Sequence, residues 1–233
     1  MLSRDVAMVS LAGVCKRFIK GKETIGIFDH LDLAIPKGDF VAVMGPSGSG
    51  KTTLLNLLGG IDRSNEGEIL IADQRIDRLS ESQLSHWRAA HVGFIFQFYN
   101  LMPMLSAAQN VELPLLLTGL DRKQRRERVQ TALDVVGLAD RAKHYPREMS
   151  GGQQQRISIA RAIVSDPSLL LCDEPTGDLD RTTAAEILTI LQVLNRDLGK
   201  TIVMVTHDPA AAEYARRVLH LDKGHFIERE LAA

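Results

Sequence analysis

The chain has 233 residues, of which 45% are hydrophobic and 24% charged, and its formal net charge is −1. This composition is typical of a globular protein, and the near-neutral balance argues against a bare nucleic-acid binder, whose surface would be strongly basic. Cys15 and Cys172 lie far apart without a CxxC pair or a companion histidine cluster, so the sequence predicts neither a disulfide framework nor a zinc site.

The first 97 residues alternate short apolar runs with turns. Several short strands are predicted over 6–43, the last being DFVAVM in front of a glycine-rich loop. A helix is then expected from Lys51 to the glycine pair Gly59 and Gly60. The strand GEILIAD, the short helix ESQLSHWRAAH and the strand VGFIFQ, which ends at Gln97, complete this part.

The middle of the chain, from about 98 to 165, has a helical pattern. Its three helix-like segments are SAAQNVELPLLLTG, DRKQRRERVQTALDVVG and SGGQQQRISIARAIV. They are followed by a buried strand SLLLC, an amphipathic helix through 184–194, a strand TIVMVT, a short helix and a hairpin that turns at 222–224. Strands that alternate with helices predict a parallel sheet covered on both faces, and the helical stretch indicates an inserted subdomain.

Membrane insertion is not indicated. No apolar stretch reaches the roughly 18 to 20 residues that span a bilayer, and the first eleven residues, MLSRDVAMVSL, lack the apolar core of a signal peptide. We expect a reduced cytosolic compartment and, if the protein works at a membrane, a separate chain that spans it. Cys172, at the end of its apolar run, is expected to pack as a small buried hydrophobe.

The segment GPSGSGKTT, between a predicted strand and a predicted helix, fits the phosphate-loop pattern G-x-x-x-x-G-K-[ST]. Its glycines let the backbone wrap a phosphate, and its amides form an anion nest at a helix N-terminus. Lys51 is expected to reach the β- and γ-phosphates and the Thr52 hydroxyl to ligate Mg²⁺. The alternative is a glycine-rich turn with an incidental lysine. The predicted ATP-binding residues are Gly45, Pro46, Ser47, Gly48, Ser49, Gly50, Lys51, Thr52 and Thr53.

Four polar residues follow predicted strands and are candidates for catalysis. The strand SLLLC delivers Asp173, a candidate Mg²⁺ ligand directly or through water, and Glu174, a candidate to polarise a water against the γ-phosphate. Gln97 and His207 end two other strands, and both are expected to reach the γ-phosphate or the attacking water, with Gln97 a further metal-ligand candidate. Taken singly, such residues are more often plain strand-end or turn residues than catalytic ones, but the phosphate loop upstream favours catalysis.

Taken in order, GPSGSGKT, Gln97, MSGGQ, LLLCDEP, GDLD and His207 resemble the ATP-binding cassette family over essentially the whole chain. GGIDR, FIFQFYNLMPMLSAAQNVELPLL and DEPTGDLD resemble a narrower branch, the ATPases of lipoprotein-releasing systems, of macrolide-type exporters and of the bacterial division complex. The resemblance implies an α/β P-loop NTPase with a mixed, mainly parallel sheet, an N-terminal antiparallel β subdomain and an inserted α-helical subdomain.

The resemblance further implies how the chain is divided. The whole of 1–233 would be one nucleotide-binding domain. Residues 1–97 and 161–233 would form the ATP-binding core with its β subdomain, and 98–160 the helical signature subdomain.

A second glycine-containing helix start, EMSGGQQQR, is unexplained within one chain but is explained by the family's quaternary structure. The resemblance implies that two copies dimerise head to tail around two ATP molecules with Mg²⁺. Each signature motif would then complete the partner's nucleotide site. The residues concerned are Ser150, Gly151, Gly152 and Gln153.

Three further positions are interpreted through the resemblance. Asp180, in GDLD, would belong to a loop that communicates between the two sites. Phe18 lies where the family places an aromatic that stacks on adenine, the alternative being a core aromatic of the β subdomain. Met149 takes the place of the usual signature leucine, and little effect is expected from a side chain of similar volume.

The implied function is that of an ATPase subunit of a transporter. ATP binding would close the dimer and drive a separate integral membrane permease, in this branch often one with a periplasmic domain, from the cytoplasmic face of the bacterial inner membrane. A cell-division-type regulatory ATPase is the first alternative. A soluble cassette acting on DNA or ribosomes is the second, and is disfavoured by the single cassette without sustained heptads or a cysteine cluster; no nucleic-acid partner is expected.

Two surface segments have competing interpretations. The basic stretch at 122–128 indicates either a solvated helix face or contact with anionic lipid or an acidic partner. The run FQFYNLMPMLSAAQN, rich in aromatic residues and methionine, either packs in the core or forms the groove that receives a coupling helix of the membrane subunit.

Overall fold

The computed structural model describes residues 7–21 and 23–227. Residues 1–6, on which the signal-peptide expectation partly rests, and Glu228, at the end of the predicted hairpin, lie outside the described residues. The strands are β1 (Ala7–Lys20), β2 (Glu23–Pro36), β3 (Phe40–Met44), β4 (Glu66–Ile71), β5 (Gln74–Arg75), β6 (Val92–Phe96), β7 (Leu169–Asp173), β8 (Thr201–Val205), β9 (Arg217–Asp222) and β10 (His225–Ile227). The helices are α1 (Lys51–Leu58), α2 (Glu81–His91), α3 (Ala107–Glu112), α4 (Arg122–Val135), α5 (Gly151–Ile163), α6 (Arg181–Arg196) and α7 (Pro209–Ala212).

The strands form two sheets. The smaller sheet has the order β2-β1-β4-β5, and its neighbouring strands are antiparallel. The larger sheet has the order β10-β9-β3-β8-β7-β6, in which β10 and β9 are antiparallel and the other neighbours are parallel. The predicted mixed, mainly parallel sheet with an antiparallel amino-terminal sheet is therefore confirmed.

Two of the predicted elements differ from the structure. Several short strands are expected over 6–43, but β1 and β2 are long strands of 14 residues each. Register shifts in their pairing and Gly13, at φ 58°, interrupt the alternation of apolar and polar residues, so each long strand looks like shorter ones in the sequence. The segment predicted as one helix from Ser106 onward is α-helical only as far as Glu112 and continues as a 3-10 helix over Leu113–Leu117. Pro114 has no backbone N–H to donate to the preceding turn, so the α-helix cannot continue there.

The central strands are buried on both faces, as parallel strands between helical layers must be. In β8, Ile202 and Met204 pack with the helices that follow β6, whereas Val203 and Val205 pack with α1 and the smaller sheet. Cys172 of β7 is fully buried, which confirms its predicted role as a small apolar side chain. Burial also raises the pKa of its thiol far above the usual range.

The carboxyl ends of β3, β7 and β8 lie at one edge of the larger sheet, because these strands are parallel neighbours. The loops that leave this edge carry most of the residues that the sequence singles out. Helices α3, α4 and α5 lie between β6 and β7 in the chain, and α5 runs across residue 160, where the sequence-based division ends the helical subdomain. That division stays a prediction.

Candidate nucleotide site

The phosphate-loop segment connects β3 to α1. Gly48 and Gly50 have φ of 79° and 103°, a backbone conformation that glycine adopts without strain. Gly50 is also the N-cap residue of α1 and supplies no side-chain acceptor to the first amides of the helix. These amides therefore present the positive end of α1 to an anion.

Close packing explains two of the glycines independently of any ligand. A Cβ at Gly45 would lie 2.1 Å from the carbonyl oxygen of Leu221. A Cβ at Gly50 would lie 2.9 Å from Ile27 Cγ2 and 2.9 Å from Phe28 Cε1. The loop thus packs closely between β9 and β2, and these contacts fix its position relative to both sheets.

A cleft of about 430 Å³ opens above this loop. Its wall combines the predicted phosphate-binding residues with three predicted catalytic residues from β7 and β8. The lining residues are Ile27, Ser47, Gly48, Gly50, Lys51, Thr52, Thr53, Asp173, Glu174 and His207. Gly45 and Pro46 line an adjoining depression. Ser49, within the same loop, is buried.

Lys51 and Thr52 project from the first turn of α1 into this cleft. The Lys51 ammonium donates hydrogen bonds to the carbonyl oxygens of Gly45, at 2.7 Å, and Pro46, at 3.0 Å, so the cation lies across the mouth of the loop. The Thr52 hydroxyl lies 3.4 Å from Asp173 Oδ1. A cation and two oxygen ligands are therefore arranged next to the helix N-terminus, as a phosphate with a hard metal ion requires.

Asp173 has a pKa above its usual range. Burial is the largest cause, and the charge of Glu174 acts in the same direction, while the Thr52 hydroxyl and the Lys51 charge oppose it. Because the pKa is higher in the folded than in the unfolded chain, folding at neutral pH is penalised, and stability increases as pH falls through the folded-state value.

We therefore expect Asp173→Asn to raise the melting temperature by a few degrees at neutral pH while abolishing ATP turnover. The gain in melting temperature over the native protein should shrink as the pH is lowered, since the native carboxyl then regains its proton. Thermal unfolding at several pH values measures this, with Asp73→Asn at an exposed turn as the control. A destabilised variant at neutral pH would contradict the electrostatic account.

Glu174 is held in a defined orientation at the end of β7. Its φ of 48° is unusual for a residue with a side chain, and such strain costs about 1–3 kcal/mol and is found mostly at functional sites. Its backbone N–H donates to the carbonyl oxygen of Val205, at 3.0 Å. Its carboxylate lies 3.0 Å from His207 Nδ1 and accepts a bond from the His207 amide, at 3.4 Å. The carboxylate is largely buried and the imidazole exposed, so His207 orients Glu174 from the solvent side.

Gln97 lies beside this cleft without lining it. Phe96 pairs with Asp173 in the sheet, and Gln97 follows it at the strand end. Its side-chain amide packs on Gly177, where a Cβ would lie 2.9 Å from Nε2. The structure therefore places Gln97 next to the Asp173–Glu174 end of β7, but its predicted contact with phosphate, water or metal stays a prediction.

Phe18 lies on β1 and is 41% exposed. Its alternative interpretation as a core aromatic is therefore wrong. The Lys16 ammonium lies 4.5 Å from the ring centroid, over its face, as in a cation–π contact. Phe18 does not line the cleft, and stacking on adenine stays a prediction.

The signature motif begins α5. Ser150 is the N-cap, its hydroxyl accepts a bond from the Gln153 amide at 3.3 Å, and Gln153 Oε1 accepts one from the Ser150 amide at 3.0 Å. The capping box satisfies the Gln153 amide, so the amides of Gly151 and Gly152 are the ones that this helix start can offer to a ligand. Met149 is buried in the apolar cluster of this region, as expected for a leucine substitute.

The signature glycines pack against neighbouring loops. A Cβ at Gly152 would lie 2.3 Å from Thr183 Cγ2, and one at Gly151 would lie 2.7 Å from the Tyr99 hydroxyl. Asp180 caps α6 and accepts a 2.6 Å bond from the Thr183 hydroxyl, the main cause of its lowered pKa. The loop with Asp180 and the signature motif are therefore in direct contact through Thr183.

None of the four signature residues lines the cleft that contains Lys51. Within one chain, and over the residues that the structure describes, the helix starts of α1 and α5 do not share a cleft. This geometry agrees with a signature motif that serves another molecule.

Comparison with known proteins identifies the family. The model of the "ABC transporter" family matches residues 28–177. The chain belongs to this family. It is 44% identical to the lipoprotein-releasing system ATP-binding protein LolD of Chromohalobacter salexigens, over 95% of this chain and 93% of that protein. It is also 44% identical to the macrolide export ATP-binding/permease protein MacB of Sodalis glossinidius, over 94% of this chain but only 34% of that protein.

Solved structures agree with this assignment. The chain is 40% identical to the ATP-binding cassette MJ0796, with a TM-score of 0.87 and coverage of 96% of this chain and 98% of that one, in a dimeric post-hydrolysis state bound to ADP and Pi. CbiO1 of Clostridium perfringens, part of the ABC transporter complex cbiONQ, is 27% identical with a TM-score of 0.86. The predicted identity as an ATP-binding and ATP-hydrolysing ABC transporter subunit is confirmed.

Two residues in and next to this site, Arg161 and Ile27, carried no signal in the sequence. Arg161 of α5 donates to the carbonyl oxygens of Tyr99 and Asn100, at 2.7 and 2.5 Å, and thereby holds the segment after Gln97. Burial lowers the pKa of its guanidinium. Ile27 lines the cleft from β2. Both depend on contacts between segments far apart in the chain, and only the known fold reveals them.

Proposed function

We propose that two copies of this chain close head to tail around two ATP molecules and thereby move a separate integral membrane permease. The permease would hold the chain at the cytoplasmic face of the bacterial inner membrane. The names of the relatives LolD and MacB support a lipoprotein-release or export system, and the MacB protein is an ATP-binding/permease protein in one polypeptide. Among the described residues no helix is both long and apolar enough to cross a bilayer.

The observation that carries this proposal is the position of the segment 96–100. Within this segment Gln97 packs against Gly177, three residues after Glu174 in the chain. On either side of Gln97, Phe96 and Asn100 line a groove of about 460 Å³. A change at the carboxyl end of β7 can therefore reach the groove through the contact of Gly177 with Gln97 and the few residues that join Gln97 to Phe96 and Asn100.

The groove has the composition of a docking surface for a helix. Phe94, Pro114 and Leu117 supply apolar walls, and Arg88 and Arg161 supply charge. Three large apolar side chains of the run FQFYNLMPMLSAAQN face solvent, so its interpretation as core is wrong for them: Phe98 (68%), Met102 (47%) and Met104 (75%). In the 3-10 helix that follows α3, Leu116 (56%) and Leu117 (73%) are exposed as well. An amphipathic cytoplasmic helix of a permease fits such a surface.

The donor set next to Lys51 fits Mg²⁺. The Thr52 hydroxyl and the Asp173 carboxylate are hard oxygen ligands 3.4 Å apart, and the Gln97 side-chain oxygen is the third candidate. When bound with ATP, the ion neutralises charge on the phosphate oxygens. Lys51 would hold the terminal phosphates, Glu174 would accept a proton from the attacking water, and His207 would keep that carboxylate in place.

Placing a charged side chain on the groove wall tests whether a membrane permease binds there. Leu117→Asp is expected to reduce co-purification of the permease from detergent-solubilised membranes by about 30-fold or more, the effect of a hot-spot side chain. ATP hydrolysis by the purified chain should stay at the native level, since Leu117 lies outside the cleft. Leu198→Asp, another exposed apolar position, is the control. Unchanged co-purification, or ribosomes or DNA recovered in place of a membrane protein, would contradict the proposal.

A further inference from the structure

An irregularity in the antiparallel sheet brings three metal-ligating side chains together. Val14 pairs with Leu31 and Lys16 pairs with Phe28, so the single residue Cys15 of β1 faces two residues of β2, Asp29 and His30. This is a β-bulge, and bulges re-aim side chains and are often found next to functional sites. His30 has φ 51°, the left-handed conformation that a side chain disfavours.

The three potential ligand atoms form a tight triangle. Cys15 Sγ lies 3.0 Å from His30 Nδ1 and 3.9 Å from Asp29 Oδ1. His30 Nδ1 and Asp29 Oδ1 are 3.4 Å apart. The backbone N–H of His30 also donates to Cys15 Sγ, at 3.4 Å.

These separations match a metal coordination shell. Tetrahedral Zn²⁺ with one sulfur at about 2.3 Å and nitrogen and oxygen at about 2.0–2.2 Å places its ligand atoms roughly 3.4–3.6 Å from one another. The nitrogen–oxygen distance of 3.4 Å agrees with this value, while the sulfur–nitrogen distance of 3.0 Å is shorter and the sulfur–oxygen distance of 3.9 Å longer, so shifts of up to about half an ångström would form the shell. A thiolate, an imidazole and a carboxylate are the ligand types that a borderline-soft divalent ion selects.

We propose that Cys15, Asp29 and His30 bind one Zn²⁺, with water as the fourth ligand. The sulfur is buried, whereas the Asp29 and His30 side chains are 78% and 74% exposed, so the ion reaches the sulfur from the solvent side and keeps an open position there. Binding converts the thiol to a thiolate, and its proton passes to solvent. None of the three residues lines the ATP cleft, so hydrolysis does not account for their arrangement.

Titration of the nucleotide-free, untagged full chain with Co²⁺ tests this site. One equivalent is expected to produce a sulfur-to-cobalt charge-transfer band and tetrahedral ligand-field bands, and Zn²⁺ should then displace the Co²⁺. The oxygen ligands beside Lys51 cannot give a charge-transfer band from sulfur, so the two kinds of site are distinguishable. A titration without that band would overturn the proposal.

Variants assign the ligands. Cys15→Ser should lose the band, and His30→Asn should weaken Co²⁺ binding by at least about tenfold. Asparagine tolerates the left-handed conformation, so His30→Asn keeps the bulge even if Cys15→Ser folds poorly. Cys172→Ala is the matched control and should bind as the native chain does, because its sulfur lies in the core. A band that survives in Cys15→Ser, disappears in Cys172→Ala, or keeps native affinity in His30→Asn would overturn the proposal.

Discussion

Glu174→Gln is expected to lower the rate of ATP hydrolysis by roughly 10²- to 10⁴-fold, the usual loss when a general base is removed, while ATP still binds. Glutamine keeps the shape of the side chain, so the contacts with His207 can persist, but it cannot accept a proton from water. The bound ATP should therefore accumulate with the closed dimer. Phosphate release and size-exclusion chromatography with ATP measure the two effects.

The matched control is Glu213→Gln, an exposed carboxylate at the end of α7 outside the cleft. It should hydrolyse ATP and elute as the native protein does. Near-native hydrolysis by Glu174→Gln would show that Glu174 is not the base, and that its bond with His207 serves only the structure of the strand end.

Ser150→Asp is expected to reduce ATP hydrolysis by about 10²-fold or more, comparable to the loss of one transition-state hydrogen-bond donor, without weakening ATP binding to the monomer. Aspartate is as good an N-cap residue as serine, so α5 should keep its capping bond to the Gln153 amide. Its negative charge, however, would repel the γ-phosphate that the motif is proposed to contact. The substitution thus separates the stability of the helix from its proposed function.

Ser80→Asp provides the control, because Ser80 makes the same capping box with Gln83 at the start of α2. Both variants should melt at nearly the native temperature, and only Ser150→Asp should lose hydrolysis. Equal activity in the two variants would mean that the signature helix start does not meet a phosphate. Loss of ATP affinity in the Ser150→Asp monomer would instead place the motif in its own chain's site.

The local sequence pattern was sufficient to predict those parts of the site that consist of consecutive residues. The loop from Gly45 to Thr53 and the strand that ends at Asp173 could be predicted because a glycine-rich turn between a strand and a helix, and acids after a buried strand, have few other structural solutions. The parallel order of β3, β7 and β8 then brings the two segments together. This is why residues of both segments line one cleft.

Side-chain contacts between segments far apart in the chain could not be predicted from the sequence. In the sequence, Gly152 is explained only as part of the signature motif, yet a Cβ there would also collide with Thr183 of α6. This contact is a second reason for a glycine at position 152, and no local sequence pattern shows it. Likewise, Cys15 and His30 form a cluster only because a bulge puts two residues of β2 opposite one of β1. The sequence suggests no zinc site because it has neither a CxxC pair nor a companion histidine cluster, and ligands that a bulge brings together from two strands leave no such spacing in the chain.

The central claim is that each ATP is completed by the signature motif of the other copy. Lys51→Ala and Ser150→Asp chains are each expected to be inactive, but a mixed dimer contains one site made from an intact phosphate loop and an intact signature. An equal mixture should therefore regain about a quarter of the native ATPase rate, since half of the random dimers are mixed and one of their two sites is intact. A mixture no more active than its components, although native mass spectrometry shows that mixed dimers have formed, would contradict the account.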